Sequence, residues 1–438
     1  MAGGLMQLVA YGAQDVYLTG SPKVTFFQAV YKRHTNFAME NIEQVVNGTA
    51  ANGARLSVTV ARNGDLIGEM YLELEANIAL VTSNNATAAA RGSASGEWVA
   101  ERAIADIELT IGGQRIDKHY QKWWRLYSEL YLDEAKKLQY GKMASSATTT
   151  QNKVYLPLIF FFNRNPGLYL PLIALQYHEV RLDITMASNY SSYFTSDSTV
   201  NSVKVWGNYV YLDTEERRRF AQKGHEYLIE QVQHTGVDTV NDTTAAKQVR
   251  LSYNHPVKEL VWCFSRYGTA PVGNDLWDTS TADGANVTTT SLASDQSNVT
   301  YATSISGVGA PRMVIGLSAQ QVPWVSEEDS ATGGPLNTFK LILNGQDRFK
   351  EQSGKYFNQV QPFYHHSGNP YLGVYSYSFA LKPEEHQPTG TCNFSRIDNA
   401  QVEVKTKGST TKTSMHMFAV NYNVLRIQSG MGGLAFSN

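Results

Sequence analysis

Apolar residues along this chain come in short runs, many alternating with polar neighbours, and Asn-Gly or Gly-rich breaks separate the runs. A two-residue period puts successive side chains on opposite faces of an extended strand, and Asn-Gly pairs supply the backbone angles that tight turns need. In the first half the pattern predicts strands over Asn41–Val46, Arg55–Val60, Leu66–Leu74, Ala105–Ile111, Val154–Phe162, Leu175–Met186 and Val203–Leu212, with breaks at Asn47-Gly48, Asn52-Gly53, Asn63-Gly64 and Gly112-Gly113. The second half repeats the series over Tyr227–Gln233, Val249–Tyr253, Leu260–Phe264, Met313–Leu317, Lys340–Leu343, Val374–Leu381, Val402–Thr406 and Met417–Ile427. About eight short strands per half, with turns between them, is the pattern of a sandwich or jelly roll.

Two stretches break the pattern. Tyr120–Lys142 has no alternation and sets Trp124, Tyr127, Tyr131, Ala135 and Leu138 at helical spacing, which predicts one amphipathic helix lying over a sheet. Tyr267–Ala310 is dominated by Thr, Ser, Asn, Asp and Gly and reads as a solvent-facing loop cluster.

Asp213–Gly224 reads as a short helix marked at both ends. Asp213 or Thr214 can cap it, Glu216 stands where a capping-box acid reaches back, and Gly224 can supply a left-handed stop. The sequence on its two sides says the same thing twice. Ile42-Glu43-Gln44-Val45 returns as Ile229-Glu230-Gln231-Val232, Arg55-Leu56-Ser57 as Arg250-Leu251-Ser252, and Gly112-Gly113-Gln114 as Asn344-Gly345-Gln346. Pro166-Gly167 leading into Glu179–Leu182 is echoed by Pro388-Thr389-Gly390 leading into Gln401–Val404, and Asn208-Tyr209 by Asn421-Tyr422. Matches kept in one order indicate a tandem duplication. The expected organisation is an arm over 1–26, one sandwich over 27–212, a helical linker over 213–224 and a second sandwich over 225–438.

Composition agrees with packed interiors. The chain has 438 residues, 42% hydrophobic and 11% aromatic, but only 17% charged, so its surface is covered largely by uncharged polar groups. A net charge of −2 leaves no excess of Lys and Arg to grip a nucleic-acid backbone, so no direct nucleic-acid partner is expected. The one basic run, Arg217-Arg218-Arg219, reads as the solvated face of the linker helix. The greasiest stretch, Leu156–Phe162, is strand-sized, far short of the roughly 18 apolar residues of a membrane span, and the N-terminus shows no secretory pattern. Two cysteines, Cys263 and Cys392, predict free buried thiols in place of a disulfide framework.

Catalytic constellations are missing from the sequence. Gly354-Lys355 lacks the rest of a phosphate loop, and His178-Glu179 and His225-Glu226 each lack the second His that would complete a zinc motif. His365-His366 offers half of a metal site at most, since adjacent residues tend to point apart. Trp123 and Trp124 could form a sugar platform, and Glu327-Glu328-Asp329 beside Trp324 is the nearest approach to a glycosidase acid pair. A carbohydrate-binding or carbohydrate-cleaving β-sandwich is therefore the alternative reading, with a buried helix face and a hydrated loop as the plainer explanations of the same residues. Of seven Asn-x-Ser/Thr triplets, Asn286 and Asn298 lie in the outer polar segment and are the glycosylation candidates.

Longer runs carry a resemblance. Met1–Leu5 (MAGGL), Leu8–Gly20 (LVAYGAQDVYLTG), Gly112–Tyr120 (GGQRIDKHY), Pro171–Val180 (PLIALQYHEV), Asn344–Phe349 (NGQDRF), Cys392–Ala400 (CNFSRIDNA) and Tyr422–Ile427 (YNVLRI) resemble the major capsid proteins of the chlorella viruses, large icosahedral DNA viruses of algae. The resemblance implies an all-β double jelly roll, two tandem eight-stranded sandwiches with short helical inserts in loops, and a structural protein with no enzyme activity, cofactor or metal. It further implies a homotrimeric, pseudo-hexagonal capsomer in the virion shell, assembled in the host cytoplasm. Neighbouring capsomers, minor capsid proteins beneath the shell and a nearby internal membrane would be its partners. Asn-linked glycans on outward loops of the second sandwich are also implied. Here the sequence departs from the family pattern, because Lys405–Ser414 contains no Asn and Ala285–Thr289 only approximates the acceptor motif.

Overall fold

A computed structural model of the chain describes residues 3–76, 99–144, 152–188, 190, 202–240, 246–266, 334–370, 373–407 and 412–436. The expected strand Met313–Leu317 and the polar segment Tyr267–Ala310 lie outside them. Met1–Phe37 form one compact unit, which holds α1 (Gly3–Val9) and α2 (Val16–Thr19), and Ala38–Asn438 form the other. In the small unit, Asp15 Oδ2 accepts a hydrogen bond from Gly12 N at 2.7 Å and Thr19 Oγ1 donates to Asp15 O at 2.8 Å.

The first half of the large unit contains β1 (Phe37–Gln44), β2 (Val46–Asn47), β3 (Arg55–Thr59), β4 (Leu66–Ala76), β5 (Ile104–Ile111), β6 (Gln114–Tyr120), β7 (Asn152–Pro157), β8 (Leu170–Pro171), β9 (Val180–Met186) and β10 (Ser202–Leu212). The second contains β11 (His225–Thr239), β12 (Lys247–Arg250), β13 (Pro256–Arg266), β14 (Leu336–Leu343), β15 (Gln346–Asp347), β16 (Gln352–Ser353), β17 (Val374–Ser378), β18 (Cys392–Asn393), β19 (Ala400–Thr406), β20 (Lys412–Gln428) and β21 (Met431–Leu434). The first sandwich pairs a sheet of order β1-β10-β4-β7 with one of order β2-β3-β9-β5-β6. The second pairs β11-β20-β13-β17 with β12-β19-β14-β15, so the two halves share one strand order.

The repeated sequences occupy equivalent strands. The Ile-Glu-Gln echo lies in β1 and β11, the Arg-Leu-Ser echo at β3 and the end of β12, and the last long echo in β9 and β19. Gly112-Gly113 and Asn344-Gly345 close the equivalent hairpins β5–β6 and β14–β15, and all four residues have positive φ, between 50° and 83°. That is the two-residue turn whose twist matches its strands, and a Cβ at Gly112 would stand 2.4 Å from His178. The Asn-Tyr echo is one residue out of register. Tyr209 faces Ile67 at the bulge of its ladder and donates to Gln44 Oε1 at 2.9 Å, whereas at the bulge of the second sandwich Asn421 faces Val257 and donates to Gln231 Oε1 at 3.3 Å.

Three local expectations need correction. The helix expected over Tyr120–Lys142 is two, α4 (Gln121–Leu130) and α5 (Glu134–Ala144), with α3 (Val99–Arg102) beside them. Asp133 Oδ1 accepts from Lys136 N at 2.7 Å, so a capping acid restarts the helix, and Leu138 on the supposed apolar face is 37% exposed. The strand expected over Val154–Phe162 stops at Pro157, and the Phe residues enter the short helix α6 (Phe161–Arg164), where Asn163 Nδ2 donates to Gly68 O at 2.8 Å. The linker helix α7 (Thr214–Gln222) is capped by Asp213, but the chain leaves it through an extended Lys223 (φ −85°, ψ 142°) and Gly224 supplies no left-handed stop. His225, at the start of β11, holds the free carbonyl of Phe220 through Nε2 at 2.8 Å, so the exit is straight into a strand. Arg217 is solvated as expected, 61% exposed, and also pairs with Asp65 of the first sandwich at 3.0 Å.

The second sandwich's core is centred on Trp262, fully buried and stacked on Phe339 with ring centroids 4.4 Å apart, with Phe357 and Tyr375 at 5.3 and 5.8 Å. Trp262→Ala is expected to lower unfolding stability by about 3–5 kcal/mol in urea denaturation, the usual cost of emptying an aromatic site in a core; a loss below about 1 kcal/mol would contradict this packing.

Candidate functional site: the seam between the two sandwiches

The sheet β11-β20-β13-β17 is buried on both faces, and its strands show why. In β13, Leu260, Trp262 and Phe264 enter the second core, while Val261 and Cys263 join the hydrophobic cluster of the first sandwich. In β20, Met415, Met417 and Ala419 point one way and Phe418 and Val420 the other. A strand buried on both sides reads as a continuous apolar run, as Leu260–Phe264 does. From the first sandwich, α4 lies against the outward face, with Trp123 5.7 Å from Phe418. Cys263 is a free buried thiol whose pKa burial pushes up, and Cys392 is free and half-buried.

Charges line the same seam in matched sets. Glu230 of β11 receives Arg164 of α6 at 2.8 Å on one oxygen and Lys258 of β13 at 2.6 Å on the other. Lys258 Nζ also donates to Pro383 O at 2.6 Å. Burial would raise the Glu230 carboxyl, but the two cations outweigh it and hold the group below the usual carboxylate range. Nearby, Asp117 Oδ1 accepts from Val232 N at 3.0 Å and Asp117 Oδ2 pairs with His119 Nε2 at 3.0 Å, while Gln231 Nε2 donates to Ile116 O.

His366 completes the set. Its enclosed ring sits between Glu259 at 3.2 Å and Glu384 at 3.3 Å, and Tyr131 stands edge-on at 5.3 Å. Burial alone would depress this imidazole, yet the two carboxylates overcome it and push it up to about 9. The following residues bind the first sandwich directly: Ser367 Oγ donates to Tyr131 O at 3.2 Å, Gly368 N to Leu130 O at 2.9 Å, and Lys137 Nζ to Asn369 O at 2.8 Å. At the other end of the seam, Gly432 N donates to His178 Nδ1 at 3.1 Å and Leu434 N to Gln114 Oε1 at 3.2 Å. This arrangement can lock two domains together. It offers no open pocket with poised acids.

A family model described as large eukaryotic DNA virus major capsid protein matches residues 216–433, and one described as major capsid protein N-terminus matches residues 25–213. The chain is 42% identical to the major capsid protein of Paramecium bursaria Chlorella virus 1 and 41% identical to that of Pyramimonas orientalis virus, with all of each chain covered in both cases. The chain belongs to the major capsid proteins of the large eukaryotic DNA viruses.

Solved structures of such capsid proteins share its fold. VP54 of Paramecium bursaria Chlorella virus 1 matches with a TM-score of 0.76 at 38% identity, covering 94% of this chain and 100% of that one. The Faustovirus major capsid protein matches with a TM-score of 0.67 at 12% identity, covering 97% and 96%, which shows a common double jelly roll. As a major capsid protein the chain is a structural component of the virion shell and not an enzyme.

Several residues singled out from sequence take other roles in the capsid protein. Trp123 and Trp124 are 3% and 1% exposed and form no sugar platform: Trp123 packs the seam against Phe418, and Trp124 Nε1 donates to Pro157 O at 3.3 Å within the first sandwich. His365 and His366 do diverge: His365 Nδ1 hydrogen-bonds Leu381 O at 3.0 Å on the surface while His366 is enclosed between carboxylates, and no cluster of metal-ligating side chains occurs among the described residues. Asn286, Asn298, Trp324 and the Glu327-Glu328-Asp329 cluster lie outside the described residues. Sequence reasoning passed over Arg164, Glu230, Lys258, Glu259 and Glu384. The available signal was a charge embedded in an apolar run, as in Val257-Lys258-Glu259-Leu260 and Ile229-Glu230-Gln231-Val232, where a strand buried on both faces demands a partner.

Glu230→Gln leaves Arg164 and Lys258 facing one another without a carboxylate and is expected to cost about 3–5 kcal/mol in urea denaturation, the penalty for stranding a buried charge. His366 has a folded pKa above its unfolded value of about 6.5, so its contribution to stability is complete below that pH and is lost as pH rises through about 9. Unfolding midpoints of the wild type are expected to fall between pH 6.5 and 9.5 more steeply than those of His366→Gln; parallel profiles would refute the assignment.

Proposed function

We propose that three copies of this chain close into a pseudo-hexagonal capsomer and that such capsomers tile the icosahedral shell of a large DNA virus. One observation carries the reading: the two sandwiches of a chain share a strand order and are held by a seam that is apolar at its centre and ionic around it. Three rigid pairs of similar units give six around an axis, so a threefold assembly fills a hexagonal position with closed symmetry. Low charge density suits the broad side-to-side contacts this needs, because fewer ions are desolvated when faces meet.

Within that shell, neighbouring capsomers are the lateral partners, with minor capsid proteins and an internal membrane beneath. Assembly takes place in the host cytoplasm. No helix among the described residues is long and apolar enough to cross a membrane. Asn286 and Asn298 are the proposed acceptors of Asn-linked glycans.

Sedimentation equilibrium at micromolar concentration is expected to give about three times the 48.6 kDa chain mass; a monodisperse monomer would sink the capsomer reading. Glycopeptide mass spectrometry of protein from particles is expected to find hexose-bearing peptides at Asn286 or Asn298, and unmodified peptides at both positions would remove that assignment.

A further inference from the structure

Among the charged side chains of the seam lies a small cavity, about 10 Å³ counted as the room open to the centre of a water molecule. Asp117 and His119 of β6, Tyr131 at the end of α4 and Arg164 of α6 reach it from the first sandwich, and Glu230 of β11 reaches it from the second. Val232 of β11 and Val420 of β20, paired in one ladder, line it with carbon. We propose that this cavity binds a single water molecule, a structural part of the seam that joins His119 and Tyr131 to the charged groups around them.

Two polar atoms on the lining residues call for such a ligand. His119 is 2% exposed, and its Nε2 is committed to Asp117 Oδ2 at 3.0 Å. Its Nδ1 is buried and has no hydrogen-bond partner among the described residues. Phe160 stacks on the imidazole with centroids 4.3 Å apart, so a partner for Nδ1 has to come in the plane of the ring. Tyr131 Oη is likewise buried without a partner among the described residues, on a ring fixed by Tyr127 at 4.8 Å and His366 at 5.3 Å. A buried polar atom left unpaired costs about 1–3 kcal/mol. Two of them on residues lining one cavity are economically satisfied by one shared partner.

Size and charge select that partner. A bound water needs roughly 10–15 Å³ of such room and two to four polar neighbours, so the cavity admits one water and nothing larger. A cation is disfavoured by Arg164, and by Lys258 on the far oxygen of Glu230; an anion is disfavoured by Asp117 and Glu230. A neutral molecule that both donates and accepts suits every neighbour. It donates to Nδ1 of a neutral imidazole or accepts from Nδ1–H of a charged one, and it exchanges a hydrogen bond with the Tyr131 hydroxyl. Arg164 gives one N–H to Glu230 Oε2 at 2.8 Å, and its guanidinium carries five. Side chains fixed on β6, α4, α6 and β11 pair directly where their geometry allows, as Arg164 does with Glu230, and the water completes the set where it does not.

The proposal does not depend on the capsomer reading. Its test is a crystal structure of the whole chain at a resolution that shows ordered water. One density peak is expected within about 3.2 Å of both His119 Nδ1 and Tyr131 Oη. No peak there, beside other well-ordered buried waters, overturns the proposal, and so does a peak with the contacts of about 2.0–2.6 Å that mark a metal cation. Thermal unfolding of Tyr131→Phe addresses the same point in solution. Deleting a hydroxyl that holds the water is expected to lower the midpoint by about 1–2 °C, whereas deleting one without a partner raises it. An unchanged or raised midpoint overturns the role given to Tyr131.

Discussion

Everything in the large unit depends on one sheet having no solvent face. The strands β20, β13 and β17 send side chains into two different hydrophobic clusters, and Ile229 of β11 joins that of the first sandwich, so neither sandwich has a complete boundary without the other. Apolar burial is non-directional and would tolerate sliding of one sandwich on the other. The ion pairs that rim the seam do not. Glu230, held by Lys258 of its own sandwich, also receives Arg164 of the first, and Asp117 of the first accepts from Val232 N of the second. Buried charges gain little net stability but penalise every arrangement that separates them. The apolar centre therefore supplies affinity and the ionic rim supplies register.

That division suits a shell protein. A capsid tile needs a fixed angle between its halves, since an error there is repeated at every lattice position. It also needs side faces that remain soluble before assembly and still recognise another copy. The apolar and ionic seam meets the first need within the chain.

Much of this was legible in the residues themselves. Period-two alternation and Asn-Gly or Gly-Gly breaks marked the strands and the equivalent hairpins at Gly112-Gly113 and Asn344-Gly345, because turn geometry is decided within a few residues. Ordered echoes such as Arg55-Leu56-Ser57 and Arg250-Leu251-Ser252 exposed the duplication. Where the expected boundaries failed, a residue at the boundary had intervened: Pro157 ended a ladder so that three Phe side chains could turn into the core, and His225 capped the linker helix so that Gly224 was not needed.

The sequence by itself determined the strand content, the tandem repeat and, through long family-like runs, the capsid identity, since all of these are written in short-range pattern. Only the tertiary structure decided which faces are covered. The sequence favoured a buried helix face over a sugar platform for Trp123 and Trp124 and left His365-His366 as half of a metal site at most, but the partners these side chains meet, Phe418 for Trp123 and Glu259 and Glu384 for His366, were set by the fold. Partner choice for a buried aromatic or charge depends on residues hundreds of positions away, and no local period carries that information.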